Sequence, residues 1–181
     1  MKSIVSFILI IFLSLNTDAQ FTGASLQASG LTCSMCSKAV KNALEKVSFV
    51  EKVQVDIKNQ QYNMTFRQGA NVDFDALSKA VEDAGFSVAN LKVNANLNNV
   101  KLTKDAHVQI DNKYFHFLNA GGKTLNGNTS FNIVDKQFVS AKDFKKHSTA
   151  SKMECVKTGK AGKCCEAENI VAQTRVYHAV I

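Results

Sequence analysis

Neither proline nor tryptophan occurs in this 181-residue chain. Without proline there is no polyproline spacer and no Pro-punctuated turn, so breaks in the pattern must be read from Gly, Asn and Asp. Long apolar runs are missing too. The stretch from Ile4 to Leu13 is too short for a comfortable membrane span, which needs ~20 residues. The histidines, His107, His116, His147 and His178, show no ligand spacing among themselves and read as ordinary strand or helix residues. An even cysteine count is also lacking. In an exported protein, Cys33, Cys36, Cys155, Cys164 and Cys165 leave at least one thiol unpaired, metal-bound or intermolecular.

Export is what the N-terminus predicts. Lys2 precedes the apolar stretch, and the small residues Thr17 and Ala19 follow it, the order of a cleavable secretory signal. Residues 1–19 are expected to be removed before Gln20, making the protein periplasmic or secreted; an uncleaved membrane anchor is the other reading. The remaining ~160 residues suit two small domains or one of middle size. The net charge of +7 is uneven: residues 25–93 hold eight Lys/Arg against seven Asp/Glu, whereas 101–181 hold thirteen against seven. A basic half attracts nucleic acid, anionic lipid or an acidic partner. Export argues against nucleic acid. Docking on a membrane component remains, beside the bland explanation of scattered lysines on solvated faces.

Past the signal, Ala24-Ser25-Leu26-Gln27-Ala28-Ser29 alternates as a short strand, and Gly30 frees the backbone for a loop. From Cys36 the period is helical, with Ala39, Val40, Ala43, Leu44 and Val47 on one face. It then drops to two: Val53, Val55 and Ile57, then Tyr62, Met64 and Phe66, describe a hairpin with one buried face. Asp73 is placed to cap a second helix, striped by Phe74, Leu77, Ala80, Val81 and Ala84, and Gly85 to end it. A last strand runs from Phe86 to Val93. The order β-α-β-β-α-β is the split-βαβ, ferredoxin-like arrangement, so this part is α+β.

Gly30-Leu31-Thr32-Cys33-Ser34-Met35-Cys36, in this element order and with Ala84-Gly85-Phe86 late in the unit, resembles the heavy-metal-associated domain. That family includes copper chaperones, the N-terminal modules of copper-transporting P-type ATPases and the periplasmic mercury-binding protein. The resemblance covers residues 24–93. It implies that Leu31, where the family usually has Met, packs inward. It also implies that Phe86 aligns the chain with the transporter modules, which carry an aromatic there, rather than with soluble chaperones, which carry Lys.

The chemistry of the pair follows from its spacing. Thiolate binds metal, and a helix start favours the ionised form through unpaired N–H groups and the helix dipole. Two soft ligands suit an ion content with low coordination: Cu(I), Ag(I) or Hg(II). Zn(II) wants about four ligands, and Thr32, Ser34 and Ser37 beside the pair are neutral. Met35 reads as a residue lying against solvent or hydrophobic neighbours rather than as a third ligand. Two other readings stay open: a redox Cys-x-x-Cys, which would want a thioredoxin context, and a plain structural disulfide. The family resemblance implies transfer by ligand exchange, in which a partner's thiolate attacks the under-coordinated ion.

The second half is less legible. Residues 94–100 are Asn-rich and read as a linker, setting off a mostly-β domain at 101–181. Strands are expected at 107–110 and 114–118, and a hairpin at 129–139 turning at Asp135-Lys136. Ser140 with Asp143 forms a capping box for a short helix, and a closing strand runs over 175–181. Several strands with one helix suggest a small barrel of the oligonucleotide/oligosaccharide-binding type. Residues 153–165, rich in Gly and Lys, read as a flexible loop. Its Cys155, Cys164 and Cys165, with Met153, form either a second soft-metal site or a disulfide from Cys155 to Cys164 or Cys165. Because Cys164 and Cys165 are adjacent, two of the three thiols are expected to matter most.

The expectation is therefore an exported binding protein, with no catalytic residues, that captures, buffers or delivers Cu(I) through Cys33 and Cys36. Its partners would be a metal-transporting ATPase or a cuproprotein. The alternatives are mercury or zinc binding by the same pair, or a thiol-disulfide oxidoreductase.

Overall fold

Both helical stripes and the period-two runs of the first half form the elements they predict, except that Ile57 falls in the turn after its strand and is exposed. The computed structural model describes residues 20–181 apart from 32, 106, 119 and 150, so the expected signal lies outside the described residues. The order begins β1 (Gln20–Ser29), α1 (Ser34–Glu45), β2 (Val50–Asp56), β3 (Gln61–Phe66), α2 (Phe74–Asp83) and β4 (Ser87–Leu102). These four strands pair antiparallel in the spatial order β4-β1-β3-β2, the expected ferredoxin-like arrangement. In β3, Tyr62, Met64 and Phe66 are buried while Asn63 and Thr65 face solvent. Val40 and Leu44 of α1 and Phe74, Leu77 and Val81 of α2 meet them in one core. Asp73 caps α2, its side chain accepting from the Asp75 N–H at 3.0 Å.

Gly23 sets how closely β1 and β3 approach. A Cβ there would lie 2.3 Å from the Met64 carbonyl oxygen, and a backbone atom cannot swing away. Gly23→Ala should therefore force the two strands apart at a cost of about 2 kcal/mol, read as a lower urea midpoint with an unchanged slope.

Beyond β4 the expectations need correction. Residues 94–100 are no linker; they continue β4, with Val93, Ala95 and Leu97 buried and Asn96 exposed between them. The chain goes on through β5 (His107–Ile110), β6 (Lys113–Phe117), β7 (Lys123–Ile133), α3 (Ala141–Ser148), α4 (Cys155–Thr158), a 3-10 helix (Lys163–Glu168) and β8 (Val176–Val180). β7 lies along β4 from Leu91↔Ile133 to Leu102↔Lys123, which covers the edge that β4 would otherwise expose. The described strands form one eight-stranded open sheet, ordered β2-β3-β1-β4-β7-β8-β6-β5, mixed because β6 and β8 are parallel. It has edges at β2 and β5, so the small barrel is replaced by an extension of the first sheet.

Two local misreadings have clear causes. Asn126-Gly127-Asn128 lies within β7, where the register slips between Leu97 and Val100 and Gly127 takes a φ of 65°, so the turn signal marks a bulge. Residues 137–139 form no strand, because the Phe138 N–H closes a turn onto the Asp135 carbonyl at 2.8 Å. The capping box is present: Ser140 Oγ accepts from the Asp143 N–H at 3.2 Å. Residues 153–165 are a short helix followed by the start of the 3-10 helix rather than a loop.

Strand alternation divides the second half between two cores. Phe115, Phe117, Tyr177 and Ala179 join the main core, while Leu118, Val134, Val156, Ile170 and Val176 enclose a smaller one with Cys155 and Cys165. Among the described residues no helix is long and apolar enough to cross a membrane.

Candidate metal centres

Cys33 is the N-cap of α1. Its backbone is extended (φ −153°, ψ 165°), and its sulfur accepts from the Cys36 N–H at 3.4 Å. The Cys33 and Cys36 sulfurs are 2.8 Å apart, with Cys33 exposed and Cys36 half-buried. From beneath, the buried Tyr62 hydroxyl donates to Ser37 Oγ at 3.0 Å and fixes the turn that carries Cys36. Leu31 packs against the main core, as the family resemblance implies, and Phe86 packs there too. Met35 is 80% exposed, and no acidic residue stands in the first turn of α1. A cavity of about 440 Å³ opens beside Cys33, lined by Lys38, Lys41, Val55 and Ile57 among others. The pair is thus two convergent sulfurs at a solvent-facing helix start, open to approach from outside.

The other three cysteines come together elsewhere. Cys155 opens α4, and Cys164 and Cys165 lie in the 3-10 helix; their sulfurs lie within 4.8 Å of one another and form no disulfide. The tight 3-10 turn brings the adjacent Cys164 and Cys165 sulfurs to 3.5 Å, so all three thiols meet rather than two. Burial pushes the Cys155 thiol up, and the neighbouring Cys165 adds to this. Burial also opposes ionisation of Cys164, but backbone and thiol donors led by Cys155 outweigh it and hold that thiol below its ordinary range.

Sequence reasoning missed His107. It faces the Cys cluster, with Nε2 at 3.6 Å from the Cys155 sulfur and 3.4 Å from that of Cys165. His107, His116 and His178 form a row across β5, β6 and β8, set by the registers His107↔His116 and His116↔His178. Burial, then His178 and His107, push His116 down to about 4, and neither of its ring nitrogens has a hydrogen-bond partner. His178 donates Nδ1–H to Asp135 at 2.6 Å. His147, in the last turn of α3, is not among the clustered ligand atoms. Only the cross-strand register signals this row, and a single sequence does not show register.

Compared with known proteins, residues 25–87 match the heavy-metal-associated domain. Over 62 residues the chain is 40% identical to the mercuric transport protein periplasmic component of Serratia marcescens, covering 34% of this chain and 67% of that protein. It is 32% identical over 63 residues to a copper-transporting ATPase of Helicobacter pylori, covering 35% of this chain but only 8% of the ATPase. Oxidized MerP from Ralstonia metallidurans CH34 is a similar solved structure, at 37% identity over 39% of this chain and 94% of that one, with a TM-score of 0.34.

Proposed function

This chain belongs to the heavy-metal-associated domain family, and we propose that it captures Cu(I) outside the cytoplasm at Cys33 and Cys36 and passes it on by ligand exchange. The observation that carries this reading is the pair itself: two sulfurs 2.8 Å apart at an exposed helix start with no acidic neighbour in the first turn. A two-thiolate site holds a soft ion tightly yet leaves it under-coordinated. An incoming thiolate from a partner then adds as a third ligand, one of the two cysteines leaves, and the ion transfers without being released. The acceptor is a soft-metal site of the same chemistry, on a transporting ATPase or a cuproprotein. No catalytic step is assigned to the pair.

Hg(II) is the second reading, favoured by the 40% identity to a mercuric transport component. It uses the same two sulfurs. The periplasmic relative also supports export, with residues 1–19 as the signal that directs it.

Anaerobic titration of the reduced full chain with Cu(I), Hg(II) and Zn(II) against competing chelators tests both readings. The variant carrying Cys33→Ser and Cys36→Ser should bind one equivalent of Cu(I) fewer than the parent; an unchanged Cu(I) stoichiometry would overturn the assignment. Preference for Hg(II) over Cu(I) would replace the first reading with the second. Reduction of insulin disulfides dependent on Cys33 would turn the protein into an oxidoreductase.

A further inference from the structure

We propose that the smaller core holds a second, closed metal site, in which the sulfurs of Cys155, Cys164 and Cys165 and Nε2 of His107 bind a tetrahedral ion of the Zn(II) type. Three donor separations fit a four-coordinate centre, and the three sulfurs lie within 4.8 Å of one another. With metal–sulfur bonds of about 2.3 Å and metal–nitrogen bonds of about 2.0 Å, tetrahedral donors sit roughly 3.5–3.8 Å from one another. The separations are 3.6 Å from Cys155 to His107, 3.4 Å from Cys165 to His107 and 3.5 Å from Cys164 to Cys165.

Glu168 supplies the outer support that such a site needs. Its carboxylate takes the Nδ1 side of His107, which leaves Nε2 turned to the sulfurs, and both its oxygens accept from the His107 backbone N–H at 3.0 Å. A carboxylate behind a ligating histidine fixes the tautomer and the ring orientation. Glu168 ends the same 3-10 helix that carries Cys164 and Cys165, so six residues provide two ligands and the support for a third.

Three of the four donors are enclosed, and Cys164 is half-buried. The His107 side chain is 1% exposed, and Cys155 and Cys165 are fully buried. His116 gives a second sign that polar groups are gathered here for more than packing. It is fully buried, neither nitrogen has a partner at hydrogen-bond distance (Nε2 stands 3.7 Å from the Asp105 carboxylate), and it offers a ligand atom within 4.8 Å of those of His107 and Cys155. Buried polar atoms without partners are rare and call for a cause.

The two centres differ in kind. Cys33 and Cys36 offer two ligands, one exposed and one half-buried, at an open helix start and suit an ion in transit. The second set offers four, mostly buried, which suits an ion that stays; four donors with three thiolates favour Zn(II) over Cu(I), which is satisfied by fewer. Binding displaces the three thiol protons to solvent and fastens the edge strand β5 to the segment 155–168, making the ion a structural staple of the second half.

Zn(II) and Co(II) titration of the reduced full chain carrying Cys33→Ser and Cys36→Ser tests this independently of the first site. One equivalent should bind, and Co(II) should give thiolate charge-transfer and intense tetrahedral d–d bands. Chelation should lower the thermal midpoint. Glu168→Gln should weaken binding roughly 10- to 100-fold while the Cu(I) stoichiometry of the Cys33–Cys36 pair in the otherwise native chain stays unchanged. His107→Gln should lose the tetrahedral spectrum, with far-UV circular dichroism showing that the variant is folded. No bound ion, or a mass two protons lower from a disulfide among Cys155, Cys164 and Cys165 in metal-loaded protein, would overturn the proposal. Loss of binding in His116→Gln with retention in His107→Gln would overturn the assignment of His107.

Discussion

Phe74→Ala is expected to lower the unfolding free energy by about 4 kcal/mol and to do so for the whole sheet at once. Phe74 begins α2, is fully buried, and stands edge-on to Phe21 of β1 at 5.0 Å. It also meets Phe115 of β6 at 6.2 Å and Tyr177 of β8 at 5.3 Å. One ring thus joins the ferredoxin-like half to strands that enter the sheet after β4. Truncation removes three edge contacts, each worth about 0.5–1.5 kcal/mol beyond area burial. It also opens a hole whose walls are strands fixed in one sheet and poorly able to close it. Urea unfolding followed by far-UV circular dichroism and by tyrosine emission checks this. With Tyr62 in one half and Tyr114 and Tyr177 in the other, coincident transitions shifted together are expected. A loss below about 1 kcal/mol would mean that the aromatic cluster does not bind the halves together.

That joint is the part of the fold that sequence reasoning handled worst, and the reasons are physical. In residues 24–93 each element declares itself over a few neighbours: a period of 3.6 in α1 and α2, a period of two in β2 and β3, a capping Asp73. Cys33 and Cys36 are equally local, three positions apart, and the structure brings their sulfurs together. In 94–100 the polarity of Asn94, Asn96, Asn98 and Asn99 hid a strand, although Val93, Ala95 and Leu97 keep its alternation. Composition spoke louder than period there. The second centre was only half legible. Its cysteines are close in sequence, but His107 is 48 residues from Cys155, 58 from Cys165 and 61 from Glu168. Strand register across β5, β6 and β8 places His107, and register is decided by packing of the whole sheet.

Asp135→Asn is expected to cost about 3 kcal/mol, although the side chain keeps its size. The residue is 3% exposed, two positions past the end of β7. Its carboxylate accepts the His178 backbone N–H at 3.1 Å and the His178 Nδ1–H at 2.6 Å, and meets Arg175 at 3.4 Å. An amide offers one acceptor oxygen where the carboxylate offered two, and turns an N–H toward donors. Arg175 loses its buried counter-charge while its other partners remain: Asp75 at 2.8 and 3.0 Å, and the Gly159 and Val176 carbonyls. Burial disfavours the guanidinium charge, yet the Asp75 hydrogen bond and the Asp135 and Asp75 charges more than offset it and raise the Arg175 pKa. Asp75 supplies the contrast, because its side chain is 38% exposed and water can replace what Arg175 gives it. Asp75→Asn should cost no more than about 1 kcal/mol. Denaturation of the two variants side by side reads the difference. Equal losses would show that burial of Asp135 adds nothing to what its charge contributes.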